Sequence, residues 1–155
     1  MKTFFCYIYY YCYFSKHKFW VAYYIFVFVF KLIYRALVHD ISRYHSSETK
    51  YFSSIVCIDQ KSFSFGSKKY FAILRLIKPG VDLHRSRNRH HPEFHKNGFK
   101  DMSAIDILEM ICDWKAAARR HGDGDVMKSL EINQKRYGYS DDEKGMLRKI
   151  IMEIM

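Results

Sequence analysis

The chain is short of several features that would place it at once. Its four cysteines, Cys6, Cys12, Cys57 and Cys112, form no CxxC pair and no regular spacing. That argues against a disulfide framework and a cysteine-built zinc site, and it fits a reducing, cytoplasmic compartment. No charge-free run reaches the roughly 20 residues that cross a bilayer. The two aromatic runs, Phe4–Phe14 and Phe19–Phe30, have eleven and twelve, with Lys16-His17-Lys18 near their junction. No small-residue cleavage site follows them, and Lys2 alone would make a poor charged leader, so a signal peptide is not expected. Internal repeats, low-complexity linkers and, outside the aromatic tract, a convincing strand pair are all missing. Acids are scarce too: 16 against 26 Lys and Arg, for a net charge of +10.

What is present is aromatic and basic. Tyr and Phe number thirteen each in 155 residues, a length that suits one domain. Residues 1–58 carry seven Lys/Arg against two acids, residues 59–100 ten against three, and residues 101–155 nine against eleven. A basic body with a mildly acidic end suits an anionic partner: a phosphorylated small molecule, a nucleotide, nucleic acid or a membrane surface. A merely soluble basic face is the plain alternative. The tyrosine-rich tract is expected to be a core helix preceded by an aromatic tail, residues 1–15, with the folded domain at 16–155. Two other readings stay open: membrane association through residues 4–34, since Tyr favours interfaces, and a buried strand, which FVFVF would favour.

The remaining pattern is mainly α. Ile33, Ala36 and Leu37 recur at helical spacing. Residues 41–66 are Ser-rich and read as a loop with a helical turn. Ser67–Lys78 reads as a helix closed by Pro79-Gly80. Residues 81–100 are polar and lack periodicity. Ser103 with Asp106 resembles a capping box for a helix ending near Gly122, whose apolar stripe is Ile107, Ile111, Trp114 and Ala118. Asp125 caps a helix to Gly138, and Ser140 with Glu143 caps the last one. His121–Asp125, HGDGD, lacks the ligand spacing of a calcium loop and reads as a helix end followed by a cap. Trp20 and Trp114 are expected in the core, and His45 and His95 in solvent.

Residues 84–95, HRSRNRHHPEFH, hold four of the eight histidines and three arginines. Metal-ligand chemistry appears at His17, at His39-Asp40, at His84, His90 and His91, and at Asp113. Asp106, Glu109 and Asp113 fall at i, i+3 and i+7, so three acids share one helix face and want arginines or a metal. The order of these residues resembles the HD superfamily of metal-dependent phosphohydrolases: His17, then His39-Asp40 with Arg43 following, then His90-His91-Pro92-Glu93, then Asp113 in ILEMICDWKAA. The stretches RALVHDISRY, RNRHHPEFH, IDILEMICDWKAA and RHGDGDVMKSLEINQKRYGYSD look more like a family of bacterial and viral proteins with this HD-like pattern. That likeness covers about residues 16–150, is strongest from 82 to 143, and brings no established activity.

The resemblance implies a single-domain, HD-like helical bundle in which His17, His39, Asp40, His84, His90, His91 and Asp113 hold a divalent metal. Imidazole and carboxylate donors suit Mn, Fe, Zn or Mg, and no cysteine joins them. Asp40, His90 and His91 would carry catalysis, and Arg85, Arg87 and Arg89 would grip phosphate oxygens. Phosphohydrolysis of a nucleotide or another phosphate ester is the expectation. The alternatives are a nucleic-acid binder or nuclease, and a non-catalytic, membrane-associated basic protein. One geometric demand is plain. His17 and His39 would stand about 33 Å apart on one straight helix, so a shared metal needs a turn near residues 28–32, where no Gly or Pro occurs.

Overall fold

The computed structural model describes residues 2–55, 64, 66–120 and 124–154, with side chains from residue 5. It is mainly α, and no strand occurs among the described residues. Cys57, His121, Gly122 and Asp123, all weighed above, lie outside them.

The chain divides into two units, residues 1–39 and 40–155. The first is one helix, α1 (Lys2–Val38), ending in a turn at His39. Its 37 residues make it about 55 Å long. No break in the helix falls at residue 15, and the two units part after His39. Neither does the helix turn at residues 28–32. The expected core helix is also corrected, because its large side chains are exposed on every face, with Tyr9 75%, Phe30 67% and Leu37 79% accessible. Aromatic and β-branched residues fall on all sides of α1, so no single stripe marks an inner face.

The second unit carries the core. A 3-10 turn at Ile41–Tyr44 leads into α2 (Ser46–Phe52) and a further 3-10 turn at Ser53–Ile55. Then come α3 (Lys68–Leu76), α4 (Lys78–Arg87), two 3-10 turns at Pro92–Phe94 and Gly98–Asp101, α5 (Ala104–Ala118), α6 (Val126–Tyr137) and α7 (Asp141–Glu153). Ile111, Trp114 and Ala118 of α5 bury against Leu130 of α6 and Leu147 and Ile151 of α7, with Phe99 and Met102 closing one side. Ile107 packs on this cluster from its edge. The Tyr139 hydroxyl donates to the Leu130 carbonyl at 2.6 Å, which satisfies a polar group inside the apolar layer.

The helix starts follow from local chemistry. Ser103 and Asp106 form a full capping box, as do Ser140 and Glu143, and the Asp125 side chain accepts from the Met127 N–H. Gly138, at φ 68°, ends α6 in the left-handed conformation. His45 is exposed, as expected, and its side chain also caps α2 by accepting from the Ser47 N–H.

Pro79-Gly80 is where the sequence reading fails. It does not close a helix; it opens α4, with Pro79 in the first turn, where its missing N–H costs nothing. Gly80 is needed because α2 lies against it: a Cβ there would sit 2.5 Å from Tyr51 Cβ. Gly80→Ala is therefore expected to destabilise the protein by about 1–3 kcal/mol. Gly145→Ala, in open space inside α7, should stabilise it by about 0.5–1 kcal/mol. Opposite shifts in urea midpoint would confirm the close approach of α2 and α4; equal shifts would refute it.

Candidate metal centre

Helix α4 ends in a loop that α5 holds in place. The Arg89 guanidinium donates to both carboxylate oxygens of Asp106, at 3.3 and 3.2 Å. That same carboxylate accepts from the Ser103 N–H at 3.0 Å, so one fully buried acid caps α5 and anchors the loop. The anchoring fixes His90 and His91 beside His84, which faces inward from α4. Their ring centroids lie 4.2 Å apart for His90 and His91 and 5.0 Å apart for His84 and His91.

Asp40 meets these rings from the start of the second unit. Its Oδ1 lies 3.2 Å from His84 Nε2 and 3.4 Å from His90 Nε2. Its backbone is left-handed at φ 53°, the only such non-glycine among the described residues, a conformation that costs of order 1 kcal/mol and is common where function over-determines geometry. Arg43 holds the other carboxylate oxygen at 2.6 Å and comes within 3.4 Å of His84 Nε2.

Carboxylates stand behind two of the rings. His84 Nδ1 is 3.0 Å from Glu48 Oε2, and His90 Nδ1 is 3.1 Å from Glu109 Oε1. Glu48 is fully buried. Beside that ring the Asn88 amide donates to Ser42 Oγ and to the His84 carbonyl, each at 2.7 Å. A carboxylate at Nδ1 favours the tautomer that keeps Nε2 as a lone-pair donor, the usual arrangement behind a metal-bound imidazole. His91 Nε2 is buried with no hydrogen-bond partner among the described residues. Burial first, and then the neighbouring His90 and His84, push the His91 pKa down to about 2, so the ring is neutral.

One ligand atom from each of Asp40, His84, His90 and His91 thus lies within 4.8 Å of the others, a group that could hold a metal ion. Two other expected ligands belong to the first unit: His17 is exposed midway along α1, and His39 follows the end of that unbroken helix. The two stand about 33 Å apart, so they do not share one ion. Asp113 is outside the four-residue group but lines a cavity of about 200 Å³ that His84 and His91 also line.

The three expected phosphate ligands separate. Arg85 lines the cavity. Arg87 pairs with Glu48 at 3.4 Å and donates to Ser47 Oγ at 2.8 Å, and Arg89 is the Asp106 anchor. Sequence reasoning missed Arg120 and Arg136, which share the cavity wall with Arg85 and Tyr70. Burial raises the Tyr70 pKa, while Arg85, Arg136 and Arg120 oppose the shift, so all three guanidiniums are within Coulombic reach of its hydroxyl. Glu48 was missed as well; a lone Glu in a Ser-rich stretch carries no signal of the histidine 36 residues on.

The family of unknown function DUF5662 matches residues 6–155, and the chain belongs to that family. No curated protein and no solved structure matches the chain.

The neutral His91 gives a pH prediction. Its folded pKa, near 2, lies below the unfolded value near 6.5, so the unfolded chain binds the extra proton between them. Stability should fall as pH drops below about 6.5, by up to about 1.4 kcal/mol per unit from this group. In EDTA, the loss of urea midpoint between pH 7.5 and 5.0 should be smaller for His91→Gln than for the wild type. An unchanged loss would show that His91 is not held neutral.

Proposed function

We propose that this member of DUF5662 is a divalent-metal-dependent phosphohydrolase acting on a small phosphate ester. One observation carries the reading: three imidazoles and the Asp40 carboxylate converge beside a cavity walled by arginines. The donor set suits a borderline ion such as Mn, Fe or Zn better than Mg, which prefers oxygen ligands. Four protein ligands would close a tetrahedral ion, whereas a five- or six-coordinate one would keep room for water and a phosphate oxygen. When bound, such an ion would acidify water into a hydroxide able to attack phosphorus.

The chain's own groups do the rest. Glu48 and Glu109 orient His84 and His90, and Arg43 steers the Asp40 carboxylate. Arg85 and its neighbours supply positive charge where phosphoryl oxygens would gain negative charge. As the P–O ester bond breaks, the leaving oxygen departs as an alcohol once protonated. A cavity of about 200 Å³ favours a small molecule over a polynucleotide.

Elemental analysis of purified protein should find about one Mn, Fe or Zn per chain, absent from Asp40→Ala and His90→Ala. Glu48→Gln should weaken metal binding by about 10–100-fold, the usual effect of losing an orienting carboxylate. Metal-free wild type with the site intact, reconstituted with Mn, Fe or Zn and still binding none, would end the proposal.

A second reading concerns the first unit alone. Among the described residues, α1 is long and apolar enough to cross a membrane, with mean hydropathy 1.8 in one 18-residue window and none of that window buried. Exposed Trp20, Tyr23, Tyr24 and Tyr34 suit a lipid interface, and Lys16, Lys18, Lys31 and Arg35 bracket the most apolar stretch. We infer that α1 seats the protein in a bilayer. Full-length protein should stay with membranes after alkaline carbonate washing, and an Ile25→Lys, Phe28→Lys double variant should be released. Complete extraction of the wild type would refute it.

A further inference from the structure

The cavity wall mixes apolar and basic side chains, and that mixture says what fits. Phe52, Ile73 and Ile77 line it together with Arg85, Arg120, Arg136 and Asn133, and Arg43 lies over the Phe52 ring at 4.2 Å. Ile77 and Asn133 are almost wholly buried, at 3% and 5% exposure. Few anionic groups accompany these arginines. Glu93 is shared between Arg136, with which it forms an ion pair, and Arg85, at 3.8 Å. Asp113 is the carboxylate on the cavity wall itself. Guanidinium groups offer five donors in a planar fork, so a pair sharing one carboxylate keeps N–H groups for a second anion.

We propose that this cavity binds a compact phosphate monoester, with Arg85, Arg120 and Arg136 holding the phosphate and Phe52, Ile73 and Ile77 receiving an aryl or short alkyl group. The proposal rests on the phosphohydrolase reading for the ligand's fate, but not for its binding. His84 and His91 line the same cavity, so an ester held here would reach the candidate metal centre. The phosphate site thus draws one arginine from α4, one from beyond α5 and one from α6. Only Arg85 belongs to the arginine-histidine run, which is why the other two carried no sequence signal.

Trp114 lines the cavity and reports on it. In full-length Trp20→Phe protein, which leaves Trp114 as the single indole, phenyl phosphate should change the fluorescence saturably in EDTA. Inorganic phosphate and phenol should each bind at least about tenfold more weakly, since the one lacks the apolar contacts and the other the charge. Arg120→Gln and Arg136→Gln should each weaken phenyl phosphate about tenfold or more. Arg120 is exposed and at the end of its helix, so that variant keeps the test valid should Arg136→Gln fail to fold. His90→Gln in EDTA should retain binding. No saturable change with phenyl phosphate, or equal affinity in a folded Arg120→Gln variant, overturns the site. Loss of metal binding with phenyl phosphate still bound would sink the catalytic reading alone.

Discussion

Everything at the candidate centre depends on a half-buried carboxylate whose covered oxygen meets two imidazole nitrogens. Asp40 Oδ1 stands 3.2 Å from one Nε2 and 3.4 Å from another. With Glu48 and Glu109 at the two Nδ1 positions, the favoured tautomers turn lone pairs toward that oxygen. Acceptors facing acceptors in a water-poor site repel, unless a cation or a proton lies between them. Arg43 relieves part of this from one side, at 2.6 Å from Oδ2. His91 does not relieve it, because burial keeps its ring neutral. A divalent ion would resolve the remainder, and the left-handed Asp40 backbone is the strain accepted to present the carboxylate.

Helix α5 shows how one face of a helix serves three ends. Asp106, Glu109 and Asp113 share a face in sequence, yet each meets a different partner or space. The first caps its own helix and anchors a loop, the second backs His90, and the third lines the cavity. Mutual repulsion along the face is offset where Asp106 pairs with Arg89 and Glu109 with His90. Trp114 and Ile111, on the neighbouring stripe, lock the helix into the core with α6 and α7. The apolar packing therefore sets the height at which each acid is offered to the site.

Much of this was legible where local chemistry decides. Ser103, Asp125, Gly138 and Ser140 announced helix ends through capping, which needs only three or four neighbouring residues. The histidine cluster and Asp40 were legible as donors by residue type. Helix α4 was not, because Pro79-Gly80 reads as a stop unless Tyr51 is known to lie against the glycine. Glu48, Arg120 and Arg136 were not, since their roles arise from contacts 36 or more residues apart in sequence or from a shared cavity. The exposed α1 was misjudged for a different reason. Apolar composition alone favours burial, and it does not say whether protein or lipid supplies the apolar surroundings.

The alternation of arginine and histidine in residues 84–95 has a structural meaning. A loop leaving a helix must be fixed at several points if adjacent side chains are to face one site, because a free loop would spend binding energy on ordering itself. His84 turns inward from α4, and Arg85 turns to the cavity. Arg87 crosses to Glu48, the same buried acid that orients His84. Arg89 grips Asp106, and His95 sits 2.8 Å from the Arg89 carbonyl, closing the loop on itself. Between those anchors stand His90, backed by Glu109, and His91, packed on its neighbour's ring. Anchoring cations thus flank the clustered imidazoles, and each buried acid that holds an anchor also belongs to a helix or to a histidine. Removing an anchor should therefore loosen ligand geometry before it loosens the core, whose apolar cluster lies in α5, α6 and α7.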